Sequence, residues 1–227
     1  IEEAYEVADA IARRAWDEVQ AELGDLLLQV IYFSQIATEE QRFDFDAVAN
    51  AISDKMVDRH PHVFGTENRD KSAEQQTIDW EVQKERERAA KGETRVLDGV
   101  ALGLPALMRA VKLQKRAARV GFDWPDVSMV VDKIVEEARE LSEAQGEGDP
   151  DHLAEEYGDL LFVIANLGRH LNIDPEEALR HANSKFTRRF RFIEAELKKH
   201  GKSPEQSDLD EMDALWNAAK AQEKSKA

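Results

Sequence analysis

The chain has 227 residues, 42% hydrophobic and 34% charged, with a formal net charge of −16. That is enough apolar material for a core, which excludes an intrinsically disordered chain. The negative charge argues against a nucleic-acid partner, whose phosphates require Lys and Arg, and suits a protein that holds cations. No cysteine is present, which removes disulfides, thiolate zinc sites and thiol nucleophiles. No apolar run approaches the ~20 residues of a membrane span. No segment reads as a signal peptide, so a cytoplasmic protein without a membrane partner is expected. The first residue is Ile1 rather than Met, and further residues are expected before it.

Only 11 Gly and 6 Pro, with few alternating runs, predict an all-α chain. In chain order, residues 2–6 read Glu-Glu-Ala-Tyr-Glu. Residues 22–37 then place Leu23, Leu26, Leu27, Val30 and Phe33 at helical spacing. Residues 66–71 and 84–94 are charged and nearly devoid of large apolar side chains, so a solvated helix flanked by loops is expected there. The domain boundary is placed near residues 95–103, giving an N-terminal unit over 1–95 and a C-terminal unit over 96–227. Pro105 reads as a helix start and Gly121 as that helix's end. A run from Val127 leads into Glu136-Glu137-Ala138-Arg139-Glu140, and Leu153, Tyr157, Leu160, Leu161, Ile164 and Leu167 form a second apolar stripe. The second stripe, through Leu153, Leu160, Ile164 and Leu167, is expected to face the core. The tail after Gln222 is expected to fray.

Internal repetition is the most informative pattern. Glu2–Glu6 recurs as Glu136–Glu140, and Glu22-Leu23-Gly24-Asp25-Leu26-Leu27 as Glu156-Tyr157-Gly158-Asp159-Leu160-Leu161. Lys55 with Arg59 recurs as Lys185 with Arg189, and Trp80 with Lys84 as Trp216 with Lys220. Four motifs in the same order identify a tandem duplication of one helical unit.

Residues three apart share a helix face, so Glu137 and Glu140 project together, as do Glu156 and Asp159 from the next helix. Lying beside an apolar stripe, such carboxylates point into a groove between helices, where they repel one another unless protonated or bridged by a cation. All-oxygen ligation suits Mg²⁺, with Mn²⁺ as the alternative. A lone Glu-x-x-Glu is ordinarily a solvated face; two such pairs, duplicated beside a stripe, point to metal sites. Lys185, Arg188 and Arg189 supply the cations a polyphosphate needs. The competing reading of these three is a stripe of surface ion pairs. Trp216 fits either a base-stacking platform or plain core, with spacing favouring core. His60 and His62 lack a third convergent ligand and read as structural.

Together these segments resemble the MazG family of nucleoside triphosphate pyrophosphohydrolases. The likeness also rests on Arg59-His60-Pro61-His62-Val63-Phe64, Leu104-Pro105-Ala106-Leu107 and Gly121-Phe122-Asp123-Trp124. The resemblance implies an all-α fold, a homodimeric helical bundle, and Mg²⁺-dependent hydrolysis of NTPs and dNTPs to monophosphate and pyrophosphate. It implies metal ligation by Glu137, Glu140, Glu156 and Asp159. Nucleotide contacts are implied at Lys133, Glu136, Glu155, Lys185, Arg188, Arg189 and Trp216, with Lys220 completing the Trp216 motif. His152 departs from the family pattern, which carries Lys there.

Glu136 and Glu155, beside the ligand set, are the two candidates for taking a proton from the attacking water. A second, weaker site is expected at Glu3, Glu6, Glu22 and Asp25 with Lys55 and Arg59. The C-terminal repeat is expected to carry most of the activity, so Glu140 should matter more than Glu6. Two rivals stand beside this reading: a narrow diphosphohydrolase acting on one nucleotide, and an acidic helical scaffold without turnover.

Overall fold

The computed structural model describes residues 1–64, Ser72, Gly92 and 95–226. The solvated helix expected within 66–71 and 84–94, and the Trp80 and Lys84 motif, lie outside the described residues apart from Gly92. The described residues are helical with no strand, and the chain divides into two compact units, Ile1–Gly92 and Glu93–Ala227.

The first unit contains α1 (Glu2–Arg13), α2 (Trp16–Glu39), α3 (Phe45–Arg59) and the short α4 (Pro61–Phe64). Arg14, with φ 57°, ends α1 in the left-handed region. Ala15 N–H then donates back to the Ala10 carbonyl, and α2 begins after only two linking residues. Arg13 pairs with Glu18, and Gln29 Nε2 donates to Glu3, so α1 and α2 run antiparallel as a hairpin. α3 opens on Asp44, whose carboxylate accepts from Ala47 N–H at 2.8 Å.

The apolar stripe of α2 looks outward within this chain. Val19, Ser34 and Ala37 are buried, while Leu23, Leu27, Val30 and Phe33 are exposed, Phe33 at 62%. The hairpin's inner face is the one bearing Val19, Glu22, Leu26 and Gln29, because α1 meets it with Ala10, Glu3 and Glu6. Leu23 lies one residue beyond Glu22 and is therefore rotated ~100° away from that contact.

The second unit contains α5 (Ala106–Arg119), α6 (Val127–Glu147), α7 (Pro150–His170), α8 (Pro175–Lys199), a 3₁₀ turn (Pro204–Gln206) and α9 (Leu209–Lys226). The punctuation is chemical. Pro105 caps α5, and Gly121, at φ 85°, ends it while Phe122 N–H donates to the Ala117 carbonyl. Asp126, Asp149 and Asp174 each cap the next helix with a side-chain oxygen, and Pro150 and Pro175 fill the first helical position. α6 and α7 pack most extensively and also form an antiparallel hairpin, turned at Gly148 with φ 75°.

Val130, Ala144, Val163, Ala165, Ile193, Leu197 and Ala219 are buried, and buried Gln114 donates from Nε2 to the Phe162 carbonyl at 2.8 Å. Here too part of the expected stripe looks outward: Tyr157, Leu161 and Ile164 are exposed while Val163 and Asn166 are buried. The loop before α6 is fastened to the end of α7 by Asp123, which accepts from Arg169 and lies 3.3 Å from His170 Nε2. Burial raises the Asp123 carboxyl, but hydrogen bonding and charge from Arg169 outweigh it and hold the group below its ordinary value.

α9 continues through Lys226, and Glu223 ties its last turns to Arg188 and Arg189 of α8.

Candidate functional site

The α6–α7 hairpin brings Glu137, Glu156 and Asp159 together, with ligand oxygens all within 4.8 Å of one another. Glu137 is only 5% exposed. Facing it, Lys133 Nζ donates at 2.7 Å to Glu136 and sits 2.8 Å from Glu137, one turn away on the same helix. Those two hydrogen bonds raise the Lys133 pKa, so the ammonium is a fixed counter-charge to a buried carboxylate.

Glu140 lies outside the tight triplet yet belongs to the same field. Partial burial raises its carboxyl pKa first; the charge of Lys133 opposes this, and the charges of Glu137, Glu136 and Glu156 add to it. A carboxylate driven toward protonation by burial and by like charges is one that a cation would return to its ionised form. The donor set is entirely oxygen, it converges, and its innermost member is desolvated: these residues fit a hard divalent cation. Asp159 and Glu155 are exposed on α7, with Glu156 half-buried between them.

His152 spans the hairpin's turn. Its Nδ1 lies 3.0 Å from Glu147 and its Nε2 lies 3.2 Å from Glu156. The Glu147 contact is the largest cause of its raised pKa, with Glu156 adding to it. Both contacts favour the imidazolium form, the one in which both ring nitrogens donate.

The basic residues are gathered on α8. Lys185 and Arg188 are exposed, and Arg189 is half-buried with its guanidinium 5.2 Å from the Trp216 ring centre. Trp216 is half-buried and also meets Phe186 at 5.4 Å between ring centres. Lys220 is exposed on α9. Among the described residues, the ion pairs of Arg188 and Arg189 go to Glu223, not to the carboxylate triplet. That residue has no sequence signal: it lies 35 and 34 positions away, on another helix.

The first unit repeats the acidic half of this arrangement. Glu3, Glu6 and Glu22 bring ligand oxygens within 4.8 Å of one another, at the edge of a cleft of about 730 Å³. Burial, then the charges of Glu22, Glu3 and Glu2, raise the Glu6 carboxyl. Asp25 is exposed on α2, outside this triplet. On α3, Lys55 is exposed and Arg59 half-buried. His60 bonds through Nδ1 with the Met56 carbonyl at 2.8 Å, a local backbone role.

Comparison with known proteins gives this arrangement its context. Residues 1–64 match the MazG nucleotide pyrophosphohydrolase domain, and residues 104–186 match the phosphoribosyl-ATP pyrophosphohydrolase family. A nucleoside triphosphate pyrophosphohydrolase of Escherichia coli (strain K12) is 48% identical over 225 residues, covering 98% of this chain and 85% of the relative. A nucleoside triphosphate pyrophosphohydrolase/pyrophosphatase MazG of Thermotoga maritima is 43% identical over 97% of this chain and 83% of its own length. An uncharacterized protein of Bacillus subtilis (strain 168) is 44% identical over 99% of this chain, which spans 46% of that longer relative. With its two acidic hairpins in tandem and this identity over nearly its whole length, the chain belongs to the MazG family of nucleotide pyrophosphohydrolases.

Proposed function

We propose that the second unit hydrolyses ribo- and deoxyribonucleoside triphosphates between the α and β phosphates, giving monophosphate and pyrophosphate, with Mg²⁺ as cofactor and Mn²⁺ as a substitute. The observation that carries this reading is the convergence of Glu137, Glu156 and Asp159 around a buried carboxylate, in a chain whose near-full-length relatives are nucleoside triphosphate pyrophosphohydrolases. When bound, Mg²⁺ supplies neutralisation of phosphate charge and activation of the attacking water.

The chain's own residues divide the remaining work. Glu137, Glu156 and Asp159, with Glu140 beside them, hold the cation. Lys185, Arg188 and Arg189 hold phosphate oxygens and stabilise charge growing on the pyrophosphate leaving group. Glu136 or Glu155, exposed beside the ligands, accepts the proton of water on a carboxylate oxygen. Trp216 and Lys220 flank the base and phosphates from α9. Incubation of an NTP and dNTP panel with and without Mg²⁺ tests this. Pyrophosphate and monophosphate are expected only with Mg²⁺; orthophosphate with nucleoside diphosphate would refute the reading.

The exposed stripes of α2 and α7 support a homodimer in which a second copy covers Leu23, Leu27, Phe33, Leu161 and Ile164. Light scattering at low micromolar concentration is expected to give twice 25.8 kDa; a species of 25.8 kDa alone would contradict it. Among the described residues no helix is long and apolar enough to cross a membrane. We place the enzyme in the cytoplasm, with its nucleotide substrates.

A further inference from the structure

Neighbouring residues of a helix project ~100° apart, so Arg188 and Arg189 of α8 diverge unless something draws them together. Glu223 of α9 does so. Arg188 donates from Nε and Nη2 to Oε1 at 2.8 and 2.6 Å. Arg189 donates from Nε and Nη2 to Oε2 at 3.0 and 2.7 Å. One carboxylate thus holds two guanidinium groups, one on each oxygen. Arg189 is further confined beneath Trp216, with its side chain 16% exposed.

Hydrogen bonds from Arg189 and then Arg188 keep the Glu223 carboxyl below its ordinary range, so it is ionised at neutral pH. Each guanidinium has five N–H donors and uses two of them here, which leaves its Nη1 donors for another anion. Beside them opens a cleft of about 620 Å³, lined by Arg188, Arg189, Arg191, Phe192, Gln222 and Glu223.

We infer that Glu223 is a positioning residue for the polyphosphate: it converges Arg188 and Arg189 so that their remaining donors address one triphosphate chain. This rests on the reading that the two arginines contact nucleotide phosphates. Without the bridge, the guanidinium groups repel one another and return to separate rotamers, and binding a triphosphate must then order them afresh. A carboxylate that merely blocked the arginines would have the opposite effect, since its removal would strengthen binding.

The test is steady-state hydrolysis of ATP with Mg²⁺ by the full chain and three variants: Glu223→Gln, Arg188→Ala/Arg189→Ala, and all three changes together. Glu223→Gln is expected to raise KM about tenfold and to lower kcat as well, because the arginines also stabilise charge on the leaving group. In the double-alanine background it should change neither. A fall in KM, an unchanged KM, or the same rise in the double-alanine background would overturn the positioning role. If the double-alanine protein keeps the original KM, the phosphate-contact reading falls and Glu223 falls with it. If it raises KM while Glu223→Gln does not, only the role of Glu223 falls. Glu223→Asp, one methylene shorter, guards against misfolding of the first variant. With native far-UV circular dichroism it should raise KM by a smaller factor, and an unchanged KM there also counts against the proposal.

Discussion

In the α1–α2 hairpin, Glu3, Glu6 and Glu22 converge while remaining open to water, and the neighbouring cation, Arg13, pairs instead with Asp9 and Glu18. In the α6–α7 hairpin, Glu137 is buried, Lys133 is bonded to it, and His152 bridges to Glu156. The two triplets draw on different members of the repeated motifs, Glu6 entering the first and Asp159 the second, and their surroundings differ as well. Water can screen three half-exposed acids from one another, whereas a carboxylate removed from water requires a counter-charge at fixed distance. A convergent acid triplet is therefore weak evidence for a working site, and a triplet whose innermost acid is desolvated and paired with an oriented cation is stronger.

The sharpest way to break this contrast is to neutralise equivalent acids. Glu156→Gln should lower kcat by roughly two to three orders of magnitude, about 3–4 kcal/mol of lost transition-state stabilisation. Glu22→Gln should leave kcat within about threefold. Both are read from pyrophosphate release at saturating Mg²⁺, after circular dichroism has shown native helix content. A greater loss from Glu22→Gln would transfer the main site to the first unit.

A smaller effect sharpens the same contrast without catalysis. Lys133→Met leaves Glu137 desolvated without its ammonium and should destabilise the metal-free protein by about 1–2 kcal/mol. Arg13→Met, which removes exposed ion pairs, should change stability by less than about 0.5 kcal/mol. Thermal unfolding with and without Mg²⁺ is the measurement. Added Mg²⁺ should shrink the Lys133→Met deficit, because a divalent cation replaces the missing charge. A deficit indifferent to Mg²⁺ would mean that the cation binds elsewhere.

The helical class, the family and the ends of α5 were legible in the sequence because they depend on local chemistry: spacing of apolar residues, Pro105, and a glycine at positive φ. Long-range partners were not. Periodicity shows that α2 has an apolar stripe, yet it cannot say that α1 would meet the neighbouring face carrying Glu22 and leave Phe33 outside. The i, i+3 rule puts Glu137 and Glu140 on one face but does not reveal that only Glu137 reaches Glu156 and Asp159 closely. That distinction comes from how α6 and α7 pack. Pairings such as Asp123 with Arg169, or Arg189 with Glu223, join residues tens of positions apart, and no spacing rule addresses them.

Each acidic triplet is confined to a single helical hairpin, closed by the two linking residues after Arg13 or by the turn at Gly148. Contacts between consecutive helices need only short loop closure, so such hairpins form early and rapidly compared with long-range packing. The event that closes the hairpin is then also the event that forces three carboxylates together, and electrostatic repulsion is concentrated at that step of folding. Lys133, one turn before Glu137 on the same helix, is present from the moment α6 forms and needs no tertiary contact to begin offsetting that repulsion.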